Sequence, residues 1–225
     1  MKLLLGIFSC HRYDYHFDDQ CMKDWYIRTD VDRVSALRDT WLRDVDCDYK
    51  IFYGRGANRE PLADEIFLDA PDDYQHSSQK LKKLVQYALD TGHDRLLKID
   101  DDTWAYWDRL KKIVPSDDYV GGGPSNFAAG FTYWLSAKAM NLLVNTSCYQ
   151  WQEDFWVGRV LESHGVKFVK DPRYFVAPTT KENQYILDEE LAKSNNYLTI
   201  HALSPDQMRK VYKEKQNGEH PGDSE

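Results

Sequence analysis

Asp94-Arg95-Leu96-Leu97-Lys98-Ile99-Asp100-Asp101-Asp102 is the stretch whose reading decides the fold. Its first six residues read as a strand, and that strand runs straight into three carboxylates. Just upstream, Ser78 to Thr91 carries apolar residues at Leu81, Leu84, Val85, Ala88 and Leu89, a helical stripe, with Gly92 placed for a left-handed cap. Further back, the run from Lys2 to Ser9 is continuously apolar over Leu3–Phe8, as in a strand covered on both faces. Between them the pattern predicts a helix from about Asp32 to Leu42 and strands at Tyr49–Gly54 and Glu65–Leu68, the last ended by Ala70-Pro71. Strand and helix in alternation imply an α/β fold: a Rossmann-like, mostly parallel central sheet flanked by helices. Ligands of such sheets bind beyond the carboxyl ends of the strands, where the acidic triplet lies.

Beyond the triplet, the pattern predicts a strand at Phe131–Ser136, helices at Ser136–Val144 and Glu153–His164, a strand at Tyr197–Ile200 and a short helix at Pro205–Lys215. One domain over residues 1–215 with a polar tail from 216 to 225 accounts for the whole pattern. The segment from His11 to Asp32 has no period and reads as a long loop. Its Tyr13, Tyr15, Phe17, Trp25 and Tyr26 suit a mobile cover with stacking surface, and equally a surface insertion packed on the core.

Composition narrows the class. Hydrophobic residues at 42% of 225 suffice for a core, so the chain is globular. The longest early apolar run, Leu3 to Phe8, is far short of a bilayer span, so no membrane role and a cytoplasmic setting are expected. Cys10, Cys21, Cys47 and Cys148 lack the close pairing of a zinc site and read as free thiols. A net charge of -8 argues against coating nucleic acid by bulk charge. The clusters Lys80/Lys82/Lys83, Arg109/Lys111/Lys112 and Arg209/Lys210/Lys213/Lys215 read mainly as solvated helix faces.

Three successive carboxylates repel one another, and a divalent cation bound to a diphosphate would compensate them. Read alone, the triplet suits a solvent-facing turn at least as well. Glu153-Asp154 is a second acidic site, following a glycine-rich and aromatic segment. Sugar transfer with inversion needs a carboxylate that takes the proton of an acceptor hydroxyl, a role open to Asp154, although an acidic pair also simply opens a helix.

Five segments in order then resemble glycosyltransferase family 31, the group of beta-1,3-galactosyltransferases and Fringe enzymes. They are Arg33-Val34-Ser35-Ala36-Leu37-Arg38-Asp39-Thr40-Trp41, Phe52-Tyr53-Gly54, Lys98-Ile99-Asp100-Asp101-Asp102-Thr103-Trp104, Gly130-Phe131-Thr132-Tyr133-Trp134-Leu135-Ser136 and Glu153-Asp154-Phe155-Trp156-Val157-Gly158. The resemblance spans roughly Lys2 to Met208. It implies a GT-A fold, Mn(II) (or Mg(II)), a UDP-sugar donor and inversion. By the same resemblance Asp102 is the main metal ligand with His201 as a second. Asp154 is the general base, and Glu153, Asp100, Asp101, Gly130 and Arg38 contact substrate. The acceptor is not implied: a saccharide or other small hydroxyl compound leads, with hydroxymethylated bases of DNA as the rival. A noncatalytic nucleotide-sugar-binding relative is a third reading, against which the intact acidic motifs speak.

Overall fold

In β1 (Leu3–Phe8), Leu5 and Ile7 enter one core and Leu4 the other, and all three are buried. A strand apolar at both parities has to be covered on both faces, which sets three layers: helices, sheet, helices. A computed structural model describes residues 1–11, 32–123, 126–176 and 197–217. After β1 the chain forms α1 (Arg33–Asp39), a 3-10 turn (Trp41–Asp44), β2 (Asp48–Arg55), β3 (Glu65–Pro71), a second 3-10 turn (Tyr74–His76), α2 (Ser77–Asp90) and β4 (Arg95–Asp100). It continues with β5 (Trp104–Ala105), α3 (Trp107–Leu110), β6 (Tyr119–Gly121), β7 (Thr132–Ser136), α4 (Ala137–Val144) and α5 (Glu153–Ser163). Last come β8 (Phe168–Lys170), β9 (Tyr174–Val176), β10 (Thr199–His201) and α6 (Pro205–Gln216).

Seven strands form the central sheet in the order β3-β2-β1-β4-β7-β6-β8, and only β7 runs against its neighbours. The expected mixed α/β architecture is therefore what the chain adopts. Leu37, Trp107, Leu110, Met208 and Val211 from α1, α3 and α6 pack with Leu5, Ile7, Leu97 and Ile99 on one face. Leu84, Met140 and Trp156 from α2, α4 and α5 pack with Leu4, Leu96 and Tyr133 on the other. The chain leaves β1 toward β2 and β3, then crosses back to β4 on the opposite side of β1. That reversal opens a crevice at the carboxyl ends of β1 and β4, where Phe8 stands beside Asp100.

Local chemistry explains most element ends. The Asp32 carboxylate accepts the Ser35 N–H and starts α1, Ser136 caps α4, and a Ser204/Gln207 capping box with Pro205 starts α6. Gly92 has φ +74, the left-handed stop expected after α2. The predicted helix over Asp32–Leu42 is in fact two pieces: α1 ends at Asp39 and a 3-10 turn follows. A second sheet, β5-β10-β9, was not foreseen.

Cys10, Cys47 and Cys148 are free thiols. Among the described residues no helix is long and apolar enough to cross a membrane. The expected cover over His11 to Asp32 falls, except for its two end residues, outside the described residues, as do Cys21 and the tail from 218.

Candidate active site

The carboxylates after β4 are fixed by neighbouring backbone before any ligand is considered. The Asp100 N–H donates to the Phe131 carbonyl at 2.9 Å and the Asp101 N–H to the Phe8 carbonyl at 3.3 Å. Asp101 is buried, accepting the Ser9 hydroxyl at 2.6 Å and Arg33 Nη1 at 3.2 Å. Arg33 Nη1 also lies 3.2 Å from Asp102 Oδ2, so one guanidinium bridges two members of the triplet.

His201 reaches the triplet through the small sheet. β5 begins two residues after Asp102 and pairs antiparallel with β10, Ile200 opposite Trp104, which sets His201 level with Thr103. The imidazole stacks on Phe131 at 4.9 Å, and its Nδ1 is 3.1 Å from the Thr103 hydroxyl and 3.0 Å from Asp102 Oδ1. That last contact has ion-pair distance but poor hydrogen-bond alignment, so the His201 imidazole is the close partner of the buried Asp102 Oδ1. Burial by itself disfavours the Asp102 carboxylate, but His201 and Arg33 outweigh it and hold Asp102 well below the usual range. Burial also works against a charged His201, and the Asp102 carboxylate overrides it and raises the imidazole.

One ligand atom from each of Asp100, Asp102 and His201 falls within a 4.8 Å cluster. Two carboxylate oxygens and an imidazole nitrogen so close together could hold a divalent metal ion, which would also satisfy the poorly aligned Asp102 oxygen. Asp102 and His201, the two expected ligands, stand in one cluster together with Asp100.

Behind the triplet lies a buried charge the sequence reading passed over. Lys98 shares the inward parity of Leu96 on β4, yet its side chain is fully buried. Its ammonium donates to Asp100 Oδ1 at 2.5 Å, to Glu153 Oε1 at 2.7 Å and to the Gly130 carbonyl. Tyr133, opposite Lys98 in the β4–β7 register, donates its hydroxyl to Glu153 Oε2 at 2.7 Å. Burial is the main cause that lifts Glu153 to about 7; Lys98 opposes it, and the charges of Asp154 and Asp100 add to it. Burial likewise raises Asp100 against the pull of Lys98. A lysine at an inward strand position just before acids was the available sign of this network.

Asp154 faces outward from the same helix start. It is half-buried, its Oδ1 accepting the Phe155 N–H at 2.7 Å and its Oδ2 the Gly130 N–H at 3.2 Å. Gly130, expected against substrate, instead packs against this pair: a Cβ there would sit 2.7 Å from Glu153 Oε1. The arginine on the triplet is Arg33, whereas Arg38 forms a fork with Asp64 (2.9 and 2.8 Å) and reaches Glu65 at 2.9 Å. Glu65 is buried and also takes Arg59 at 2.5 Å. Burial would raise Glu65, but Arg59, the Leu62 N–H and Arg38 together lower it to about 2.

This ion cluster has a structural role that can be measured. Arg38→Ala is expected to cost about 1–3 kcal/mol, the scale of leaving a buried acceptor short of a partner. In the wild-type protein the contribution of Glu65 is fully present above about pH 4.5 and is lost as pH falls through about 2, because the folded state holds this carboxylate below its ordinary value. Urea melts read the loss. Unchanged stability with weakened nucleotide binding would return Arg38 to the substrate.

No family model matches the chain, and no curated protein does. Among solved structures it is similar to a protein of Desulfovibrio desulfuricans G20 described as a nucleotide-diphospho-sugar transferase, with 12% identity, 75% of this chain and 79% of that one covered, and a TM-score of 0.48. It is also similar to a glycosyltransferase involved in glycosylation of the major capsid of PBCV-1 (10%, 92% and 98%, 0.48). A third is a cytidylyltransferase of Leptospira borgpetersenii (10%, 100% and 98%, 0.43).

Proposed function

We propose that this chain is a metal-dependent, inverting glycosyltransferase of the GT-A type, one catalytic domain over residues 1–215. It moves a sugar from a nucleotide-sugar, a UDP-sugar by the family 31 resemblance, to an acceptor hydroxyl. One observation carries the reading: the Asp100–Asp102–His201 donor set and the Glu153–Asp154 helix start are joined through the Lys98 ammonium, which donates to both Asp100 and Glu153.

Asp100, Asp102 and His201 would hold Mn(II) or Mg(II), which supplies positive charge to the leaving diphosphate. Asp101, fixed by Ser9 and Arg33, keeps the turn in shape. Asp154 takes the acceptor proton as the hydroxyl oxygen bonds to the anomeric carbon. The nucleoside diphosphate departs from the opposite face with the electrons of the broken C–O bond, which inverts the centre. Glu153, gripped by Lys98 and Tyr133, fixes the helix start that presents Asp154.

The basic clusters favour a saccharide or small acceptor over DNA. Lys80 is spent on Asp72 and the Ser9 carbonyl, Lys111 on Asp46, Arg209 on Asp39, and Lys215 on Asp44 and Asp108. A panel of nucleotide-sugars incubated with Mn(II), with and without hydroxymethylated DNA, tests the whole reading. At least one UDP-sugar should be consumed, EDTA should stop it, and DNA should not stimulate it. Consumption of none, or undiminished turnover in EDTA, would overturn the proposal.

A further inference from the structure

The exposed large apolar side chains among the described residues include two aromatic ones, Tyr149 at 62% and Trp151 at 36% exposure. Both lie in the turn that leads into α5, and Asp154 follows Trp151 by three residues. A large ring left in water is informative where a single exposed aliphatic is not.

This turn is held in place. The Trp151 carbonyl accepts the Ser77 hydroxyl at 2.6 Å and the Ser78 N–H at 3.3 Å, and the Ser78 hydroxyl donates to the Gln150 carbonyl. These bonds satisfy donors at the start of α2 and at the same time fix the backbone that carries the rings. Tyr74, in the turn after β3, sets its ring 5.2 Å from Trp151. The β3–α2 and α4–α5 connections thus meet as an aromatic platform on the carboxyl side of the sheet, beside the helix start that bears Asp154.

The polar groups around the rings are planar and mostly uncharged or acidic. Gln150 Nε2 donates to Gln152 Oε1 at 3.3 Å, and Asp73 pairs with His76 at 2.6 Å. Two of the three lysines of α2 are engaged, Lys80 with Asp72 and Lys82 with the Thr146 carbonyl. Stacking of nucleic-acid bases comes with a positive groove that tracks the phosphates, and these residues do not make one. Ring faces beside amides and carboxylates suit a ligand with an apolar C–H face and a rim of hydroxyls.

We propose that Trp151, with Tyr74 and Tyr149, forms the acceptor subsite and stacks a sugar ring so that one of its hydroxyls meets Asp154. The inference rests on the glycosyltransferase reading, and it makes the acceptor a saccharide.

Saturation-transfer NMR with methyl glycosides of glucose, galactose, mannose, xylose and N-acetylglucosamine, run with UDP and Mn(II) present, provides the test. A single-stranded oligonucleotide carrying 5-hydroxymethylcytosine is run alongside. At least one glycoside should receive saturation, and Trp151→Ala should weaken its Kd by about 5- to 10-fold, the scale of losing one aromatic face. Trp151→Phe should recover most of the affinity, and the Kd for UDP should hold within about twofold. Tyr149→Ala, a change at an exposed ring, should give a smaller loss in the same direction and carries the test if Trp151→Ala does not fold. Glycoside binding that ignores both substitutions, no glycoside binding at all, or binding of the oligonucleotide that depends on Trp151 overturns the proposal. UDP binding and donor consumption are read separately, so each of those three results leaves the transferase reading standing. Absence of UDP binding with glycoside binding intact would instead strike that reading alone.

Discussion

Asp102→Asn is expected to abolish turnover, by on the order of 1,000-fold or more, and to remove Mn(II) binding with it. Among the three successive acids Asp102 is the one whose carboxylate lies at ion-pair distance, 3.0 Å, from an imidazole. Asp101 has both oxygens engaged, one by Ser9 and one by Arg33, and Asp100 is drawn toward Lys98. Asparagine keeps the size of the side chain but gives up the charge that Arg33 and His201 stabilise, so the fold should survive. Electron paramagnetic resonance of Mn(II) added to the free protein separates ligand loss from misfolding: the bound signal should vanish in the mutant and persist in Asp101→Asn. Near-normal turnover of Asp102→Asn would remove Asp102 from the metal.

Asp154→Asn is expected to lower kcat by about 100-fold or more, the usual scale for deleting a general base. Its amide oxygen can still accept the Phe155 N–H, although the Gly130 N–H loses its acceptor, so the helix start should persist and UDP affinity should change little. Isothermal titration with UDP and single-turnover transfer would show chemistry and donor binding separating. The opposite pattern, weakened UDP binding at unchanged kcat, would place Asp154 on the donor.

Much of this arrangement was legible from local pattern, and the reasons for the rest are physical. β1 and β4 declared themselves because both faces are apolar, and β4 led directly to the triplet. Whether β7 runs parallel or antiparallel leaves no trace in a run such as Thr132–Ser136, since pairing direction is a tertiary choice. β5 and β9 are two and three residues long, too short to show any period, whereas the strand expected over Tyr197–Ile200 is β10 shifted by one or two residues. The different partners of Arg33 and Arg38 have a geometric cause. Residues five apart on a helix stand about 140° from each other, so the two arginines of α1 cannot address the same partner. Sequence likeness marks both and orients neither. Lys98 was quoted as part of a motif, but its burial, and so its link between two acidic sites, needed the β4–β7 register and the placement of α5.

The pairing of β5 with β10 has a consequence for how the protein becomes competent. His201 is separated from Thr103 by 98 positions, and it closes on Asp102 through strands of two and three residues together with the Leu203 N–H bond to the Asp102 carbonyl. The seven-stranded sheet contains none of the small sheet's strands, so it can form while the last ligand is still unplaced. Contacts so distant along the chain are slow to close. Recovery of metal affinity on refolding should therefore lag behind recovery of helical circular dichroism. On the ribosome, the nascent chain would acquire most of its architecture before the proposed metal cluster is complete.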